Sequence, residues 1–329
     1  MKIAVTGSIA TDHLMSFPGR FADQLIADQL DKVSLSFLVD ELVLRRGGTA
    51  ANIAFGMAQL GLRPVLLGAV GADFADYRSW LERHGVDCDS VHVSEVAHTA
   101  RFVCTTDTDM CQIASFYAGA MSEARNIELA PVAQRLGGLD LVLVSANDPA
   151  AMIRHSGECR DRGYSFVADP SQQLARMDGE DVLGLIDGAD YLMTNEYEKS
   201  LLQSKAGLTD EELLDRVKVR VTTLGKQGVE IAGREIAGRE IGTIRVPIAR
   251  EIQAVDPTGV GDGFRAGFFA ALDWGVGLER AAQVGCLLAT LVLENFGGQE
   301  YEVRRDLFVK RLAESYGDAA AEDVRPHLL

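Results

Sequence analysis

What the sequence lacks narrows the field before anything it contains. It has only five cysteines (Cys88, Cys104, Cys111, Cys159 and Cys286), with no Cys-x-x-Cys pair and no zinc-type spacing, so neither a zinc module nor a disulfide framework is expected. Unpaired thiols of this kind fit a reducing compartment. Positive charge is also scarce: 32 Lys and Arg against 48 Asp and Glu leave a net charge of −16. That is the wrong sign for gripping a phosphate backbone, so no nucleic-acid partner is expected, and solubility alone accounts for an acidic surface. Long apolar runs are missing too. The start Met1-Lys2-Ile3-Ala4-Val5-Thr6-Gly7 carries no signal core, and the apolar run 286–293 is too short to span a bilayer, so a cytoplasmic protein without a membrane partner is expected. Two nucleotide motifs are absent as well. No GxxxxGK[ST] occurs, which excludes a P-loop enzyme. The opening Val5-Thr6-Gly7-Ser8 is followed by Ile9–His13 without the further glycines of GxGxxG, which excludes a nicotinamide site.

What remains is a chain of 329 residues, 47% hydrophobic, ample for a large core. Runs at 2–9 and 64–70 read as buried strands and those at 139–147, 164–169, 191–194 and 219–223 as further strands, with helices near 74–84 and 149–162 between them. That alternation marks an α/β fold with a doubly wound, mostly parallel sheet flanked by helices. Two regions break the pattern. Short β-like pieces at 33–37 and 41–44, and a hairpin pattern of 100–106, a polar turn and 110–117, suggest a small separate sheet from segments about 12–46 and 91–120. The whole chain, 1–329, is read as one domain carrying that insertion. The repeat Ile-Ala-Gly-Arg-Glu at 231–240 is read as a duplication lengthening a hairpin loop, without functional content. Helices at 278–293 and 304–316 close the fold, and the tail beyond Gly317 is expected to be mobile.

One stretch dominates the chemistry: Asp256-Pro257-Thr258-Gly259-Val260-Gly261-Asp262-Gly263-Phe264, set between an expected strand end at 251–255 and a helix. A glycine-rich turn entering a helix exposes N–H groups without intrahelical partners, and the helix dipole adds partial positive charge there. Such a turn binds anions. Asp262 has two readings: a helix cap, or a base taking a proton from a hydroxyl while the N–H groups hold the phosphoryl group it attacks. Earlier in the chain, Gly47-Gly48 precedes Asn52 and a helix ending at Gly61, and paired glycines let a ligand approach the backbone.

The later motif, together with Gly47-Gly48 and Asn52 upstream in that order, resembles the two signatures of the ribokinase-like (PfkB) carbohydrate kinases. The resemblance implies that Asp262 is the catalytic base and that Gly259, Val260 and Gly261 form the anion hole. Val260 replaces the alanine common in the family, at a position where the contact is through the backbone. It implies a small sheet acting as a lid over the substrate and building a homodimer. Taken together, stretches 6–12, 34–37, 101–124, 169–174 and 256–267 are most similar to the adenosine kinases of actinobacteria. By that likeness Ser8, Asp12, Ser36, Gly48 and Asn52 hold ribose, and Phe102, Phe116, Gln172 and Gln173 hold adenine. Asn195, Thr223, Gly225, Gly228 and Asp256 line the ATP site, and Glu198 orders Mg²⁺ through water. ATP and Mg²⁺ are the implied cofactors, with room for a monovalent cation.

Several of these residues have plain structural readings beside the functional ones. Asp12 suits an Asx-type turn, and Phe102 and Phe116 suit ordinary packing of the small sheet. Gln172 and Gln173 suit a solvated loop, and Asn195 with Glu198 makes a capping box. Three functions stay open at this point. They are adenosine phosphorylation at the ribose 5′-hydroxyl, phosphorylation of a free sugar or another nucleoside, and non-catalytic nucleoside binding.

Overall fold

The computed structural model describes residues 1–24, 36–236 and 239–328. Its strands, in chain order, are β1 Ile3–Thr6, β2 Ala10–Ser16, β3 Glu41–Gly47, β4 Val65–Leu67, β5 Ala69–Val70, β6 His92–Val93 and β7 Ala100–Thr106. They continue as β8 Gln112–Tyr117, β9 Leu141–Val144, β10 Phe166–Ala168, β11 Tyr191–Asn195, β12 Val219–Thr223, β13 Val229–Ile236 and β14 Arg239–Val246. Eight form one sheet in the order β14-β13-β12-β11-β10-β9-β1-β4. Pairing is parallel from β4 through β12 and antiparallel only across β12, β13 and β14.

Strand alternation explains the layers. Successive side chains point to opposite faces, so Ile3, Val5, Leu141, Leu143, Val219 and Val221 pack with the helices Thr49–Gln59, Val260–Asp273, Leu278–Leu293 and Arg305–Tyr316. Their neighbours Ala4, Val142, Val144, Phe166, Ala168 and Leu192 pack with Leu129–Leu136, Pro149–Arg162 and Gly179–Ile186 on the other face. Helices Val260–Asp273 and Leu278–Leu293 cross closely. A Cβ on Gly267 would lie 2.8 Å from the Gly285 Cα.

A second, four-stranded sheet runs β3-β2-β7-β8, as the alternating pattern anticipated. Its two ends join the main sheet just after β1 and just before the Thr49–Gln59 helix. The expected β-like piece at 33–37 lies outside the described residues up to 35, and Ser36 and Phe37 form no strand.

Other expectations are corrected. No strand ends at 251–255. Instead the N–H groups of Val255 and Asp256 donate to the Leu293 carbonyl (2.8 and 3.1 Å), and that of Ile252 donates to Glu294 Oε1 (2.7 Å). The segment before the glycine turn is therefore held by a helix C-terminus, whose last carbonyls lack intrahelical donors. The run 64–70 divides at Gly68, with β4 in the main sheet and β5 pairing β6. The tail beyond Gly317 is not loose: it forms the helix Asp318–Val324, burying Ala320, Ala321, Val324 and Leu328 in the core. Trp274 stacks on His327 with ring centroids 5.4 Å apart. The described residues of the repeat, 231–236 and 239–240, lie in paired strands, with Glu235 opposite Glu240, where a longer loop was expected. Among the described residues, no helix is long and apolar enough to cross a membrane.

Candidate active site

Open parallel sheets place ligands outside the carboxyl ends of their strands. Here those ends surround a cavity of about 980 Å³. Ser8 follows β1, Ser171, Gln172 and Gln173 follow β10, Asn195 and Glu198 follow from β11, and Thr223 and Gly225 follow from β12. The small sheet contributes Asp12, Phe102 and Phe116, and the two glycine motifs contribute Gly48, Asn52, Gly259, Gly261 and Asp262. Segments far apart in sequence thus converge on one concavity.

Both motif helices start at this cavity because of glycine. Gly48 (φ 93°) precedes Thr49–Gln59, and a Cβ there would lie 2.5 Å from the Ser8 carbonyl oxygen. Ser8 Oγ accepts the Thr49 N–H at 3.0 Å, satisfying a helix-start donor from another strand. Gly259 (φ 78°) precedes Val260–Asp273, and a Cβ there would lie 2.7 Å from the Gly298 Cα. Among the described residues no side chain caps this second helix, so its first N–H groups are open to the cavity.

Asp262 does not act as that cap. It sits in the first turn, half-buried, with Oδ2 accepting from Asn52 Nδ2 at 2.8 Å. Burial pushes its pKa from 3.8 up to about 6; Asn52 and the Arg265 guanidinium oppose the rise, and Asp169 adds to it. A carboxyl poised there is ionised at neutral pH and still basic enough to accept a proton. Asp12 lies within β2, so the turn reading for it fails, and among the described residues its side chain has no hydrogen bond. Burial, then the Asp256 charge, raises its pKa, leaving an acceptor ready for hydroxyls. Phe102 and Phe116 are directly opposed across β7 and β8, so both rings share one face toward the cavity.

The Asn195–Glu198 capping box is realised: Glu198 N donates to Asn195 Oδ1 (2.7 Å) and Asn195 N to Glu198 Oε2 (2.8 Å). Glu198 also lines the cavity, so its structural bonds do not exclude a second role. Gln173 is buried with its Oε1 unpartnered among the described residues, while exposed Gln172 accepts from Ser171 Oγ at 2.6 Å.

Other candidates stand off the cavity wall. Ser36 is exposed and does not line it. Asp256 ties the turn together, accepting the N–H groups of Thr258 (2.8 Å) and Gly297 (2.9 Å). Burial alone would raise its pKa, but these bonds bring it below the usual carboxylate range. Gly228 (φ 91°) shapes the turn into β13, where its carbonyl accepts the Leu224 N–H. Val260 follows the turn without lining the wall.

Sequence reasoning assigned no role to several wall and floor residues. Arg265 is buried and donates to Asp169 Oδ1 (2.6 Å) and to the Gly261 carbonyl (3.0 Å), placing a cation beside Asp262. Its helical spacing of three from Asp262 was a usable signal. Arg46, Thr49 and Gly298 are also in the wall, and Gln299 lies behind Asn52, donating to its Oδ1. No local pattern marked Gln299.

Residues 12–304 match the pfkB family of carbohydrate kinases. The nucleoside kinase of Methanocaldococcus jannaschii is 30% identical over 94% of this chain and 96% of its own. The ribokinase of Bacillus subtilis is 27% identical over 91% and 94%. Among solved structures, the Burkholderia thailandensis nucleoside kinase is 31% identical. Its ligand-free form covers 94% of this chain and 99% of that one (TM-score 0.85), and its complex with inosine covers 96% and 98% (TM-score 0.80). By these matches along nearly its whole length, the chain belongs to the pfkB family of carbohydrate kinases and has the ribokinase-like fold.

Proposed function

We propose that this kinase transfers the γ-phosphoryl group of ATP to the ribose 5′-hydroxyl of a purine nucleoside, with adenosine as substrate and AMP as product. The observation that carries the proposal is Asp262, a carboxyl with a pKa near 6, placed at the uncapped mouth of a helix and bonded to Asn52. Asp262 takes the 5′-hydroxyl proton. The oxygen bonds to the γ-phosphorus as the bond to the leaving ADP breaks, and helix-start N–H groups with Arg265 balance the growing charge. Ser8, Asp12, Gly48 and Asn52, assigned to the ribose, and Asn195, Thr223 and Gly225, assigned to the nucleotide, all line the cavity, which supports this reading. The Phe102–Phe116 pair offers a flat apolar face suited to a base, where stacking contributes roughly 1–3 kcal/mol. A free sugar would leave that face empty.

Mg²⁺ fits this wall only through water. One Glu198 oxygen is engaged by the Asn195 N–H, the other is left to order a hydrated ion, and burial raises the carboxyl's pKa. Among the described residues, no cluster of three His, Cys, Asp or Glu could cage a metal. Bound there, Mg²⁺ would neutralise phosphate charge.

Inosine is the second reading, supported by the relative crystallised with it. Phe116 is 55% exposed and the ligand-free relative gives the higher TM-score, which supports an open small sheet that closes over substrate. Exposed Leu42, Leu44, Ile113 and Tyr117 on that sheet support its use as a homodimer surface, testable by sedimentation. The function is tested by a coupled ADP-release assay across adenosine, inosine, guanosine, ribose and fructose 6-phosphate. Purine nucleosides should give the highest kcat/KM. A clear preference for ribose would overturn the nucleoside reading, and no ADP release with any acceptor would leave only non-catalytic binding.

A further inference from the structure

We infer that Gln299 is a positioning residue, which fixes the orientation of the Asn52 amide and thereby keeps Asp262 supplied with a hydrogen-bond donor. A primary amide can present either end, so the Asn52–Asp262 contact alone does not determine which atom faces the acid. The chain behind it does. The Gly47 carbonyl can only accept, and the Tyr77 hydroxyl donates to it at 2.9 Å. Burial pushes the Tyr77 phenol well above its ordinary pKa, so its proton stays in place. The Tyr77 oxygen therefore accepts, and Gln299 Nε2 donates to it at 2.5 Å. The same Nε2 donates to Asn52 Oδ1 at 2.9 Å, which leaves Asn52 Nδ2 to face Asp262 Oδ2 at 2.8 Å. A backbone acceptor at one end thus sets the direction of every proton up to the base.

Two further observations agree. Gln299 is 1% exposed and its Oε1 has no partner among the described residues, a cost it bears in directing both hydrogens at acceptors. Gly298 packs close to the Asn52 amide: a Cβ there would be 2.7–2.9 Å from Nδ2, Cγ and Oδ1, so only glycine leaves the amide room in this position. Reversed, the chain would turn the Asn52 oxygen toward Asp262, favour the protonated acid and strand the Gly47 carbonyl. Other groups around Asp262 act on its ionisation independently. They are Arg265 on its own helix, Asp169 after β10, the buried Tyr301, and Glu198 acting on Arg265; Asp12 and Arg46 are the other charged groups facing the same cavity.

Because this role presupposes Asp262 as the base, the test runs Asp262→Asn beside Gln299→Leu and Tyr77→Phe in the full-length protein. The readout is the pH dependence of kcat/KM for adenosine or inosine, with Tm and the KM for ATP as controls. In Gln299→Leu the acid limb should move up by about 0.5–1 pH unit, a ~3–10-fold loss below the limb. Tyr77→Phe should give a smaller shift in the same direction, with the KM for ATP nearly unchanged. An unmoved limb in folded Gln299→Leu overturns the inference. Should that variant fail to fold, Tyr77→Phe decides alone, a rise supporting the inference and an unmoved limb overturning it. Turnover surviving in Asp262→Asn would remove the base itself, and with it the role of Gln299. A dead Asp262→Asn beside an unmoved limb removes only Gln299.

Discussion

Replacing Asp262 with Asn separates chemistry from folding in a way few substitutions do. The carboxyl is raised from 3.8 to about 6, mainly by burial. Such a group binds a proton more readily folded than unfolded. Its favourable contribution is therefore fully present below about pH 4 and is lost as pH climbs through about 6. At neutral pH the ionised acid therefore opposes folding. A rise of this size corresponds to about 3 kcal/mol, and the face Asp262 keeps on the cavity reduces it to about 1–3 kcal/mol. The amide variant carries no such charge and can still present an oxygen to Asn52 Nδ2. Asp262→Asn should thus melt roughly 1–4 °C higher at pH 7, with the difference vanishing toward pH 4. The same change should lower kcat by about 10²–10⁴-fold or more, because the proton acceptor is gone while nucleoside binding persists. Thermal melts across pH and coupled ADP release read the two effects on one sample. A variant that turns over normally, or that melts several degrees lower at pH 7, would refute the reasoning.

Three further outcomes are expected. In the unmodified protein kcat/KM should fall about tenfold for each unit below pH 6, read from initial rates in a constant-ionic-strength buffer series. Phe102→Ala should raise the nucleoside KM by about 10–100-fold through lost stacking, and leave the KM for ATP alone, by steady-state kinetics with each substrate varied. Gly298→Ala should displace the Asn52 amide, cutting kcat about tenfold or more and lowering stability by about 1–3 kcal/mol, measured by assay and denaturant titration.

The sequence revealed most where one chemical need fixed several neighbours. Gly259, Gly261 and Asp262 were legible because a helix mouth open to an anion needs glycine for the turn and leaves N–H groups exposed. The parallel sheet was legible because buried strands such as β4 and β9 are apolar on both faces. What stayed hidden depended on partners distant in the chain. Residues 251–255 look like a strand end in isolation, and their partners, the Leu293 carbonyl and the Glu294 side chain, lie up to 42 residues on. Ala320, Ala321 and Val324 make a weak apolar signal in a short tail, yet the core has a place for them. Asp256 was read toward ATP on likeness, whereas its geometry holds the turn to Gly297. Gln299 carries no local signature, since its meaning comes from Asn52, 247 residues away.

The most direct measurement is the position of the new phosphate on the product. Purified protein, ATP, Mg²⁺ and adenosine are incubated, and the product is examined by proton-coupled ³¹P NMR. A phosphorus split by the pair of methylene protons of C5′ is predicted, marking a nucleoside 5′-monophosphate made at a primary alcohol. A phosphate on a secondary ribose hydroxyl, or ADP formed without any phosphorylated nucleoside, would contradict the placement of Asp262 against the 5′-oxygen.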